Sequence, residues 1–316
     1  MIFLLLAILC SASINVCFKI SENRPDGNSK AVSTLNQATA AIVSFIFMGG
    51  GKLFSLKWLT DMTSEWTNVF SSSGNHFSDS GSLGYALLVA VLGGLFSYFG
   101  LIILQNCTRK NGTVMTIAFN KLGLLVPIIF SMIFFHEKAT GLQIVGMLLA
   151  VFAIMFIYFK KEAADVITSP LLLIGTLFCG GFYDFISKIY EARGSEYGQT
   201  VFVFWIFLIS TAIALIAFLK SENRNINKGD IFFGCLTGVI IQLISKFLLK
   251  AISVLPSVIV FTIFSVGVIV TVNIVNLLVF KEKLSKRQYI AISLMLAACL
   301  LLSYYSEDCI NTCVII

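Results

Sequence analysis

Five charged side chains stand where the surrounding sequence is almost wholly apolar: Lys19, Lys121, Lys188, Lys246 and Asp184. An ionisable group at the centre of a membrane helix costs about 2.5–3.5 kcal/mol on insertion scales, so such groups face a wet cavity or a partner and mark transport pathways. Depth ranks them. Lys19, Lys188 and Lys246 lie within a turn or two of the ends of their apolar runs, where reaching to the interface is an open alternative. Lys121 lies near the middle of its run, about 15 Å from either end at 1.5 Å per residue. Pro127 follows it, removes one helical hydrogen bond and favours a bend beside the charge. Asp184 and Lys188 are four residues apart, share a helix face and can pair, either to hold the helix in place or as a switch. Asn120, beside Lys121, and Asn15, Gln105, Tyr183, Gln242, Asn273 and Asn276 add uncharged hydrogen-bonding groups, some of them glue between helices. Four deep ammonium groups against one carboxylate fit an anionic or zwitterionic solute. The expected substrate-binding set is Lys121, Lys19, Lys188, Asn120, Asp184 and Lys246, with Lys121 meeting the anionic group.

The elements that carry these residues follow from composition. Of 316 residues 58% are hydrophobic and only 12% charged, and the mean hydropathy is +0.93. A soluble domain carries roughly twice that share of charge, so a soluble enzyme, a nucleic-acid binder and a disordered chain are excluded. Apolar runs long enough to cross a bilayer as helices, about 20 residues each, fall at 1–20, 32–50, 83–106, 112–135, 141–159, 168–190, 199–219, 230–250, 256–280 and 287–305. They are continuous rather than alternating, which argues against a β-barrel. The first run has no basic leader or clear cleavage site and reads as a span, not a signal peptide. Between the second and third runs, Leu59, Met62, Trp66 and Val69 recur at helical spacing, as in a short amphipathic helix on the membrane surface; an unstructured loop fits equally. Eight cysteines and two histidines show no zinc spacing, and neither metal nor cofactor is expected.

The chain repeats itself. At an offset of 145, Phe135, Glu137, Lys138, Gln143 and Leu149 match Phe280, Glu282, Lys283, Gln288 and Leu294, while Lys19 and Glu22 match Lys188 and Glu191 at another offset. Five spans per copy is an odd number, so the second copy crosses in the opposite sense. The expected fold is an all-α integral membrane protein of ten transmembrane helices, arranged as two inverted five-helix repeats at 1–160 and 167–306 with a short tail at 307–316. In transporters that arrangement places a site near the midplane, between repeats.

Over essentially the whole chain the sequence resembles the EamA-like branch of the drug/metabolite transporter superfamily. The pattern that carries the resemblance is IIFSMIFFHEKATGLQIVG, with Pro127, Glu137, Thr140, Gln143 and Gly146; the second copy keeps Glu282, Ser285 and Gln288 but has Val272 and Ala291. Lys19, near the end of the first span, fits another habit of the family. Independently of the family, Glu137 and Glu282 stand just before the next span, where a carboxylate near a helix N-terminus is favoured by about 0.3–1 kcal/mol.

The resemblance implies a secondary carrier working by alternating access, not an enzyme, in a bacterial inner membrane. Its expected partners are a small polar metabolite and the lipid bilayer, as a monomer or homodimer and without nucleic acid. The competing reading is a membrane enzyme acting on a lipid or isoprenoid, which needs clustered acids or histidines. Orientation divides two arguments. The family implies cytoplasmic termini. Loops on the terminal side carry five Lys and Arg and the opposite loops thirteen, so the positive-inside rule places the termini outside. The loop charges are favoured here.

Overall fold

The computed structural model describes residues 1–22, 24, 27–49, 57–71, 75–137, 139–158, 169–221, 224–278 and 286–303. These form α1 (Ile2–Glu22), α2 (Ser29–Met48), α3 (Lys57–Ser71), α4 (Asp79–Leu122), α5 (Leu125–Phe134), α6 (Gly141–Tyr158), α7 (Pro170–Arg193), a 3-10 turn (Glu196–Gly198), α8 (Gln199–Leu219), α9 (Lys228–Ile252), α10 (Ser257–Leu278) and α11 (Lys286–Ser303). No strand occurs among the described residues. Among the described residues, six segments are long and apolar enough to cross a membrane: Ser29–Met48, Asp79–Leu104, Pro170–Arg193, Glu196–Leu219, Lys228–Ile252 and Ser257–Val275. Shorter apolar helices cover Ile2–Ile14, Phe119–Phe134, Gly141–Phe156 and Tyr289–Ala298. Helices therefore stand at all ten positions marked by the apolar runs.

One boundary differs from expectation. A connection was expected near 107–111, yet the backbone is helical from Asp79 to Leu122. The helix is nevertheless not straight. The Thr116 hydroxyl donates to Cys107 Sγ at 3.3 Å, although residues nine apart on a straight helix are separated by about 13 Å along the axis. The chain folds back sharply between them. Asn111, buried at the bend, donates through Nδ2 to the Ser169 carbonyl at 3.0 Å and accepts from Ser169 N–H at 2.9 Å, which ties the bend to the start of α7.

The helices pack as two compact units, Met1–Phe99 with Ile186–Ser253 and Gly100–Phe185 with Val254–Ile316. Neither unit is one of the sequence halves; each draws on both. In the first unit α2 packs on α8 and α9, and α1 on α9. Gly234 and Gly238 of α9 make the α2 contact: a Cβ on Gly238 would stand 2.5 Å from the Asn36 carbonyl oxygen, and one on Gly234 2.6 Å from Leu35 Cβ. This is the small-xxx-small solution to helix packing where burial of oil against oil supplies no drive. Asp230, fully buried at the start of α9, accepts from Asn227 N–H, Asn28 N–H and the Arg24 guanidinium (3.1, 3.3 and 3.3 Å). Amphipathic α3 forms where the helical spacing was read. Its Asp61 and Glu65 accept from Ser80 and Ser78 at the entry to α4.

In the second unit α6 packs on α11, and α10 on α5, α6 and α11. Ala150 and Ala153 of α6 and Ala291 and Ala298 of α11 are fully buried, so small side chains again permit close contact. Thr140 and Gln143 form a reciprocal capping box at the start of α6: Thr140 N–H donates to Gln143 Oε1 at 3.0 Å, and Gln143 N–H to Thr140 Oγ1 at 3.3 Å. Glu137 caps a helix too, but not the next one. Its two oxygens accept from the backbone N–H (3.1 Å) and the hydroxyl (3.2 Å) of Ser257, the first residue of α10. His136, with φ 52°, turns the chain between α5 and that carboxylate. Glu282 lies outside the described residues.

Candidate functional site

The second unit brings Lys121 and Asp184 together through a break in a helix. Helix α4 ends at Leu122, and Gly123 N–H bonds back to the carbonyls of Phe119 and Asn120, both at 3.2 Å. Then α5 begins at Leu125. Pro127 is its third residue, within the first turn, where a helix has no internal partner for N–H groups and a proline ring costs little. The break thus falls directly after Lys121.

Gly123 sets the break against α7. A Cβ there would lie 2.8 Å from the Leu177 carbonyl oxygen and 3.2 Å from Gly181 N, while one on Gly181 would lie 2.6 Å from Val126 Cβ. Two backbones meet with no side chain between them. The Asn120 amide nitrogen lies 3.0 Å from the position a Cβ on Gly180 would take. Asp184 follows Gly181 by three residues, about one turn along the helix. The Gly123–Gly181 contact thus sets the α7 turn that carries Asp184 against the break that follows Lys121. The Lys121 ammonium also lies 5.9 Å from the ring centroid of Phe264 on α10, within cation–π range. Phe182 and Phe185, on either side of Asp184, pack on Phe130 of α5 at 5.3 and 5.2 Å between ring centroids. Lys121 and Asp184 both remain partly accessible. A lysine and an aspartate of opposite charge set near each other in apolar surroundings can take up the two ends of an ionised solute.

The other expected site residues lie in the first unit. Lys188 is buried and its ammonium lies 2.8 Å from Glu191, one turn further along α7. Lys246 of α9 lies with its ammonium 4.2 Å from the ring centroid of Phe47. Lys19 is in α1, on a turn whose side chain is outside the described set. Sequence reasoning missed the Gly123–Gly181 contact that builds the charge pair. The adjacent glycines at 180 and 181, inside an apolar run, were its available signal. Among the described residues no group of three or more His, Cys, Asp and Glu side chains comes together.

Long apolar helices packed side by side define a multi-pass integral membrane protein. Residues 168–304 match the model of the EamA-like transporter family. It is 26% identical over 309 residues to an uncharacterised protein of Haemophilus influenzae, covering 96% of this chain and 98% of that one. A solved structure described only as a crystal structure of a protein shares the fold with a TM-score of 0.66 at 12% identity, over 96% of both chains.

Proposed function

We propose that the protein is a secondary carrier that moves a small anionic or zwitterionic metabolite by alternating access, built as ten spans in two inverted five-helix repeats. The observation that carries this reading is the placement of Lys121 at the α4–α5 break, with Asp184 one turn beyond the glycine contact that holds α7 against that break. Buried charge is costly and is kept in membrane helices where it serves a pathway. Lys121 binds the substrate's carboxylate or phosphate, Asn120 assists, and Asp184 provides the counter-charge when the site is empty. Lys19 and Lys188, matched by the repeat, serve as a second pair towards the mouths. Glycine contacts and a helix break supply the hinge material that rocking between two states needs. The family match favours a carrier over a lipid- or isoprenoid-modifying enzyme, and a bacterial inner membrane is the proposed location.

The test is substitution of Lys121 in protein reconstituted into sealed vesicles and offered a panel of labelled amino acids, organic acids and phosphate esters. Lys121→Gln should abolish uptake of the transported anion at normal protein level. Lys121→Arg should restore it only in part, because a planar fork does not replace a compact ammonium. Unchanged affinity and rate in Lys121→Gln would overturn the assignment of Lys121.

A further inference from the structure

The first unit contains a cavity of about 210 Å³ at the end of its bundle where α2 finishes, α8 begins and α9 finishes. This is smaller than the ~300 Å³ at which drug-sized sites start, so it suits a solute of a few heavy atoms or one headgroup. Its chemistry is mixed. Gln242, Lys246 and Lys250 follow one another at four-residue intervals on one face of α9. Across from them stand Phe47, Glu196 and Thr200. Lys250 is already held by Glu196 at 3.1 Å. Among the described residues Lys246 has the Phe47 ring beside it and no carboxylate paired with it.

Gln242 makes this more than a patch of surface lysines. It is 1% exposed, and its Oε1 accepts no hydrogen bond. A buried acceptor left unpaired costs stability that an apolar side chain of the same shape would recover. Its retention at the wall of a cavity has a direct physical reason if an occupant supplies the missing donor. One end of the cavity offers a cation in need of an anion, and the other an acceptor in need of an N–H or O–H.

We propose that this cavity binds a small acid that also carries a hydrogen-bond donor: a hydroxy or amino acid, or the phosphate-and-donor face of a phospholipid headgroup. Lys246 takes the anionic group, and Gln242 Oε1 accepts from the donor. Thr200 and the Lys250–Glu196 pair close the rim. The proposal does not rest on the carrier reading. Binding is measured without flux, so a protein that binds here and moves nothing would fail the carrier reading alone.

The experiment uses the purified full chain in phosphatidylcholine nanodiscs and compares acids that differ by one donor: malate against succinate, and glutamate against glutarate. Wild type should bind the donor-bearing member of a pair about tenfold more tightly. Gln242→Leu should erase that preference and raise the Tm of the empty protein, whereas a purely structural glutamine would lower it on removal. Lys246→Gln should weaken both members of a pair about tenfold. A second arm asks, by native mass spectrometry after delipidation, whether a serine, glycerol or ethanolamine phospholipid stays bound to wild type and is lost in Lys246→Gln. That result would assign the cavity to a headgroup rather than a free solute. No binding in either arm, or a malate-to-succinate ratio unchanged in Gln242→Leu, would overturn the proposal.

Discussion

Lys121 and Asp184 are joined only if their contributions to stability are coupled, and a double-substitution cycle measures that. Each lies in apolar surroundings, beside the contact of Gly123 with Gly181. Lys121→Gln leaves Asp184 without its counter-charge, and Asp184→Asn does the same to Lys121. Breaking a buried pair from one side costs about 3–5 kcal/mol. Both groups are partly accessible, which lowers the expectation to a coupling of about 0.5–3 kcal/mol. The doubly neutral variant leaves no orphan charge, so it should be at least as stable as either single variant. The assay is thermal unfolding of the four purified proteins in one detergent, where a change of ~2 kcal/mol moves Tm by several degrees. If the two losses simply add in the double variant, the residues are independent and the pair as described is wrong. Uptake should stay absent in the double variant, which separates the pair's role in folding from its role in transport.

Gly181→Ala should destabilise by about 1–3 kcal/mol through overpacking, because its Cβ would stand 2.6 Å from Val126 Cβ. Gly100→Ala, whose nearest neighbour would be Cys179 Cβ at an ordinary 3.6 Å, should be close to neutral; equal losses in Tm would refute the close contact of α7 with the break. Glu137→Ala should cost about 0.5–2 kcal/mol by uncapping α10, and Glu137→Gln should cost less since one acceptor remains; a Tm unmoved by Glu137→Ala would contradict the cap. For orientation, a variant with Cys313 as its sole cysteine should react with an impermeant thiol reagent in intact cells, as the loop charges require; protection that persists until the cells are opened would place the termini inside.

The positions of the helices were legible in the sequence because membrane spans announce themselves by length and apolarity alone. So was the break after Lys121, since Pro127 acts on its own backbone; α3 was half legible, because its spacing over fifteen residues fits a helix and an unstructured loop equally. What escaped were relations between distant segments. Glu137 was read against the helix that follows it, whereas its partner Ser257 lies 120 residues on. Asp184 was matched with Lys188 because a four-residue interval is visible in sequence; its coupling to Lys121 needs two glycines from different helices to meet. A loop is expected at 107–111, where Arg109 and Lys110 are charged, yet the backbone there is helical. Gln242 was noted only as a polar group in an apolar run. Nothing in its local sequence shows that a cavity lined by Phe47 and Thr200 opens beside it.

The central claim is that this protein carries a small anionic or zwitterionic solute, and solute counterflow tests it most directly. Purified protein is reconstituted into sealed vesicles preloaded with one unlabelled metabolite at a time, and entry of the same labelled metabolite is followed. The account predicts transient accumulation of label above equilibrium for at least one anionic or zwitterionic metabolite, absent from protein-free vesicles and from Lys121→Gln vesicles. Label that enters no faster than in protein-free vesicles across the panel, with protein shown to be folded and inserted, would contradict it.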